Sequence, residues 1–140
     1  MNASSREAEY EDLTTDTWSS EIKDPGEKIQ FLETYVNCPA EVLDTEYHII
    51  YQDNSTGLVP GPSYWKVAAA IKINPGDSAK WIDDMEAVSE TDIDMNWWKD
   101  LSVDEWTLNG PVSYYKRPKD KSYLVVYNET DVVLKYFYTD

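Results

Sequence analysis

Ser122-Tyr123-Leu124-Val125-Val126-Tyr127, then Asn128-Glu129-Thr130-Asp131, then Val132-Val133-Leu134-Lys135-Tyr136-Phe137-Tyr138 is the stretch on which the fold turns. Two runs of β-branched and aromatic residues flank four polar ones, the pattern of an antiparallel hairpin: branched and flat side chains suit a pleated surface, and a four-residue loop reverses the chain. Both runs are apolar on both faces. Tyr123, Val125 and Tyr127 alternate with Leu124 and Val126, and Leu134, Tyr136 and Tyr138 alternate with Val133 and Phe137. Strands apolar on two sides must be covered on two sides. The cover comes either from the helices and N-terminal segment of this chain or from a second subunit.

Upstream of the hairpin, Val112 to Lys116 reads as a strand, followed by the basic turn Lys116-Arg117-Pro118-Lys119-Asp120-Lys121. Tyr64 to Ile73 alternates Trp65, Val67, Ala69, Ile71 and Ile73 against Lys66, Ala68, Ala70 and Lys72, which predicts another strand. Glu46 to Asp53 alternates in the same way, with Tyr47, Ile49 and Tyr51 on one side. The connector 54–63, which contains Gly57-Leu58-Val59-Pro60-Gly61-Pro62, exceeds an ordinary hairpin loop, and long loops in compact domains are often functional.

Asp24-Pro25-Gly26-Glu27 is a helix start, with Asp24 as N-cap, Pro25 at the first helical position and Glu27 placed for a capping box. Ile29, Leu32 and Val36 then fall on one face, and Pro39 ends the run. Asn74-Pro75-Gly76-Asp77 repeats the cap, and Trp81, Ile82 and Met85 predict a second helix over 75–86. A short third helix from about Val103 would bring Trp106 near Leu101. The expected fold is α+β, an antiparallel sheet of about five strands with two or three helices packed mainly on one face. The chain of 140 residues suits one domain: residues 1–20 read as a mobile acidic arm and 21–140 as a single α+β domain.

Charge narrows the partners. With 27 acids against 12 bases the net charge is −15, which repels nucleic acid and acidic membrane surfaces and attracts a basic partner. The turn 116–121 is the one basic patch, and the field around it argues against direct nucleic-acid binding. No run nears the roughly 18 apolar residues of a membrane span. The first residues lack a basic-then-apolar leader pattern. Cys38 is the single cysteine, so neither an internal disulfide nor a cysteine-based zinc site is available. A cytoplasmic protein is expected.

The parts of common catalytic sites are sparse. Cys38 and His48 would make a thiol–imidazole pair only if the fold joined them; otherwise each is a packing residue. Asp92, Asp94 and Asn96 carry the first oxygens of a calcium loop, but Trp97 and Val103 stand where that loop needs glycine and glutamate. Phosphate-binding glycine patterns are missing. No cofactor and no metal is expected.

The span 77–105 is the informative one. It holds ten acids against Lys80 and Lys99, interleaved with Trp81, Trp97 and Trp98, and Trp106 follows. Tryptophan is over-represented at interface hot spots, and an acidic rim steers a basic protein. The expected contact residues are Asp83, Asp84, Asp92, Asp94, Trp97, Trp98, Asp100, Asp104 and Trp106. The competing reading makes the tryptophans core and the acids its wet face. The function that follows is an acidic interaction protein, of inhibitor or immunity type, that neutralises a basic partner such as a nuclease or another nucleic-acid-binding protein. One alternative is a small-molecule-binding or enzymatic domain with an aromatic pocket of Tyr47, Tyr51 and Trp65 near the 54–63 loop. Another is a structural subunit that forms a homodimer through the C-terminal hairpin.

Overall fold

In the computed structural model, which describes residues 15–52, 64–103, 106, 108–119 and 121–139, the hairpin 122–138 lies inside a seven-stranded antiparallel sheet. The strands are β1 (Thr15–Trp18), β2 (Val42–Gln52), β3 (Tyr64–Ile73), β4 (Glu86–Val88), β5 (Val112–Lys116), β6 (Ser122–Tyr127) and β7 (Val132–Tyr138). Their order across the sheet is β1-β2-β3-β7-β6-β5-β4. An N-terminal meander and a C-terminal meander therefore meet at β3 and β7, in register from Lys66 opposite Tyr138 to Lys72 opposite Val132. The two edges are the shortest strands, of four and three residues, which leaves little unpaired backbone for another chain to join.

This architecture corrects the expected one. The sheet has seven strands, not about five, and one helix longer than a single turn stands among the described residues in place of two or three. Four-residue β1 and three-residue β4 are too short to show an alternation in sequence, and their pairing with β2 and β5 is what makes them strands. The helix, α1 (Pro25–Tyr35), begins as its cap dictates: the Glu27 amide donates to Asp24 Oδ2 at 2.9 Å. The helix expected over 75–86 is one turn, Ser78–Trp81.

The two similar caps part for a local reason. Asn74 does not cap; its Nδ2 donates to Glu41 Oε1 at 2.8 Å. The Asp77 amide instead closes a turn onto Asn74 O at 3.1 Å, with Gly76 at φ 86°, a left-handed position that glycine fills without a steric penalty. Beyond Trp81 the Met85 amide closes another turn onto Ile82 O, and Glu86 enters the sheet opposite Lys116.

Helices do not provide the cover on both faces. On one side Leu32 of α1 and Val36, the residue that ends it, lie over Tyr47, Ile49, Val67, Ile71 and Leu124. On the other, the irregular segment after β4 packs Ile93, Trp98 and Leu101 onto Ala70, Val125, Val132, Leu134 and Tyr136. The two-sided apolar hairpin thus has both covers within this chain. Each fully buried large aliphatic side chain contributes about 1.5–3 kcal/mol. Thr45, fully buried in β2, is satisfied by donating to Ala70 O at 2.9 Å. Within the segment 1–20, Thr15–Trp18 form edge strand β1, while residues 1–14 lie outside the described ones, as does the connector 54–63. Among the described residues no helix is long and apolar enough to cross a membrane.

The Asp24 cap makes a direct test of this reading. Asp24→Ala should lower unfolding free energy by about 1 kcal/mol, and Asp24→Asn, which keeps an acceptor, by no more than a few tenths. Urea titrations with unchanged slope would measure both.

Candidate functional site

The segment from Ser89 to Val103 is built from two short 3-10 turns, each started by its own polar side chain. Ser89 caps Glu90–Asp92, and Asp92 Oδ2 accepts in return from the Ser89 amide at 3.1 Å. Asp94 Oδ1 accepts from the Asn96 amide at 2.9 Å and starts Met95–Trp98. Between and after the turns, Ile93, Trp98 and Leu101 point inward. Trp98 is only 4% exposed, and its Nε1 donates to Lys135 O of β7 at 3.1 Å. Half-buried Trp97 stacks on Tyr136, with ring centroids 3.6 Å apart and planes 18° from parallel. The inward residues pin the layer to the sheet. Glu90, Asp92, Asp94 and Asp100 are left exposed on its outside, with Met95 at 37% exposure among them.

Not all the expected contact residues gather here. Asp92, Asp94, Trp97, Trp98 and Asp100 belong to this layer. Trp106 is half-buried in the same core, with Lys72 Nζ 4.7 Å above its ring. Asp83 and Asp84 are exposed beside Trp81, which is buried in the α1-side core. Edge strand β4 separates the two groups, because there the chain passes from one side of the sheet to the other. Asp104 lies outside the described residues.

Of the alternative pocket's residues, Tyr51 and Trp65 come together while Tyr47 goes to the core. Tyr47 is fully buried, its hydroxyl donates to Lys28 O at 2.8 Å, and burial pushes its pKa well up, with Glu46 adding to the effect. Tyr51 meets Trp65 edge-on at 5.0 Å. Trp65 does line a cleft, of about 300 Å³, with Tyr35, Asn37, Arg117, Ser122, Lys135 and Phe137. A neighbouring cleft of about 230 Å³ adds Pro39, Lys80, Trp81, Asp83 and Asp84 and shares Asn37, Arg117 and Lys135 with the first. Together they form one groove beside the C-terminal end of α1. The sequence did hold a sign of it: Lys135 interrupts an otherwise apolar run in a strand covered on both faces.

A third cleft, of about 310 Å³, opens on the acidic-layer side between Trp18, His48, Lys66, Asn96, Trp97 and Asp100. His48 is held there: its ring stacks on Trp18 at 3.8 Å and its Nε2 lies 2.7 Å from Asp16 Oδ1. Cys38 packs against the α1-side core, whereas His48 pairs across the sheet with Ala68 of the opposite core, so the fold does not join the thiol to the imidazole. Among the described residues no group of three or more His, Cys, Asp or Glu is placed to hold a metal.

Two outcomes check this geometry. Trp98→Phe, which removes the donor to Lys135 O, should cost about 1–3 kcal/mol and speed amide exchange selectively over 89–103. Equal loss of protection across the whole sheet would contradict a locally pinned layer. Burial, then Glu33, with Lys135 opposing, pushes the Cys38 thiol up to about 11. At neutral pH it should therefore carry roughly two orders of magnitude less thiolate than an ordinary cysteine and alkylate correspondingly slowly with iodoacetamide.

No protein-family model matches this chain, and neither a curated protein nor a solved structure matches it.

Proposed function

We propose that this protein acts by stoichiometric binding, docking a basic protein through the outer surface of the 89–103 layer. What supports the reading is the partition of side chains within that layer. Ile93, Trp98 and Leu101 are committed to the core, while Glu90, Asp92, Asp94 and Asp100 face solvent around the exposed thioether of Met95. A surface of this kind attracts a cationic partner from a distance, raising association rates by roughly 10 to 1,000-fold at low ionic strength. It also offers an apolar contact at short range. The tryptophans serve by fixing the layer; the carboxylates and Met95 make the contact.

The client that fits is a nucleic-acid-binding protein such as a nuclease. Its basic cleft is shaped for phosphates, and a rigid array of carboxylates offers the same charge. Inhibition by occupancy requires no chemistry from the binder. Asp92 and Asp94 are held by their own caps, so part of the array is ordered before the partner arrives, which lowers the cost of association.

The decisive variant neutralises Glu90, Asp92, Asp94 and Asp100 together as Gln, Asn, Asn and Asn. Asn caps helices as well as Asp does, so the layer should keep its fold. The wild-type chain, immobilised, should retain a basic protein from its source cell at near-equal stoichiometry in low salt and release it in high salt. The variant should bind that protein at least about tenfold more weakly, chiefly through a slower association rate. Binding indifferent both to salt and to the four neutralisations would sink the proposal.

A further inference from the structure

The groove on the α1 side has the opposite character to the acidic layer, and nothing in the docking reading uses it. In a protein of net charge −15, two cations, Arg117 and Lys135, line both of its lobes, and Lys80 lines the smaller one. Lys135 stands in the middle of a central strand and is only 8% exposed. Arg117 is held from the rim by Asp84, whose Oδ2 lies 3.0 Å from its Nε; that carboxylate is largely in water, where screening leaves much of the guanidinium field in place.

A second observation points the same way. Trp81 also lines the groove, is 5% exposed, and its Nε1–H finds no acceptor among the described residues. Buried indole donors ordinarily have a partner. Asn37 and the Ser122 hydroxyl add donor capacity in the groove. Beyond the cations the groove turns aromatic: Trp65 lies 5.4 Å from Phe137 and 6.4 Å from Tyr35, centroid to centroid, and all three rings are half-buried.

We propose that this groove binds a small organic anion, its carboxylate or phosphate head at Arg117 and Lys135 and a flat apolar body against Tyr35, Trp65 and Phe137. The dimensions agree, since lobes of about 300 Å³ and 230 Å³ stand at the small end of ligand clefts. The field of the whole molecule sharpens the choice. A net −15 excludes polyanions, while a single small anion that reaches the groove exchanges that repulsion for two cations at close range. Asp83 and Asp84 at the rim add to the barrier for larger acids.

The full chain should be titrated with phenylacetate, phenyl phosphate and neutral 2-phenylethanol, following calorimetric heat and the thermal unfolding midpoint. Saturable one-to-one binding of phenylacetate or phenyl phosphate is expected, with a rise in midpoint because the ligand binds only the folded state. The tighter of the two names the head group. 2-Phenylethanol should bind at least about tenfold more weakly, a comparison that needs no variant. Arg117→Gln, whose retained fold the unfolding midpoint without ligand checks, should weaken the anion about tenfold or more. Equal binding of the neutral alcohol, wild-type affinity in Arg117→Gln, or no saturation by either anion in the millimolar range would each overturn the proposal. The four neutralised acids of the other face should leave this titration unchanged, so the two sites stand or fall separately.

Discussion

The pairing of β3 with β7, buried on both sides, is the constraint from which the rest of the molecule follows. Val67, Ala69 and Ile71 of β3 and Val133 of β7 face α1, while Ala68, Ala70, Val132, Leu134 and Tyr136 face the opposite layer. Central strands of this composition cannot rest with one face in water. The chain must therefore place a cover on each side, and among the described residues one helix longer than a turn serves the purpose. The second cover is a capped, irregular segment whose attachment depends on a few deep anchors. Trp98 matters most among them, because its indole both fills the core and satisfies the Lys135 carbonyl where the ladder leaves a lone pair to spare.

What the sequence disclosed depended on element length. The long strands β3 and β7 announce themselves through alternation or dense β-branched content, and α1 through a cap that the structure keeps. Thr15-Asp16-Thr17-Trp18 and Glu86-Ala87-Val88 carry no periodic signal, and only their neighbours make them strands. The missing second helix is subtler. Asn74 has the right side chain for a cap, but Glu41, more than thirty residues earlier, claims its amide. Tertiary competition of this kind leaves no local trace.

The candidate site was legible as a segment and illegible as a surface. Charge and tryptophan content single out the stretch from Asp77 to Trp106, yet Trp81 and Trp98 end in opposite cores because the chain rounds the sheet edge at β4 between them. Adjacent Trp97 and Trp98, their rings 5.6 Å apart in the same core, end at different depths, one in a half-buried stack on Tyr136 and one in the interior. The groove was harder still. Its walls come from α1, the turn after it, β3, the segment 80–84, Arg117 just after β5, the start of β6, and β7, and only Lys135, a charge misplaced in an apolar run, hinted that such a place exists.

The two faces also divide the electrostatic work. Carboxylates spread over the outside repel one another and oppose compactness, so a layer rich in them needs internal compensation. Part of it comes from the acids themselves: Asp92 and Asp94 each accept a backbone N–H at the start of a 3-10 turn, where negative charge is favoured. An ionised carboxylate has about four acceptor sites, and a cap uses one. The remaining oxygen lone pairs stay turned to solvent and available to a lysine or arginine from outside. Holding the layer in shape and presenting charge are therefore not competing tasks for these side chains.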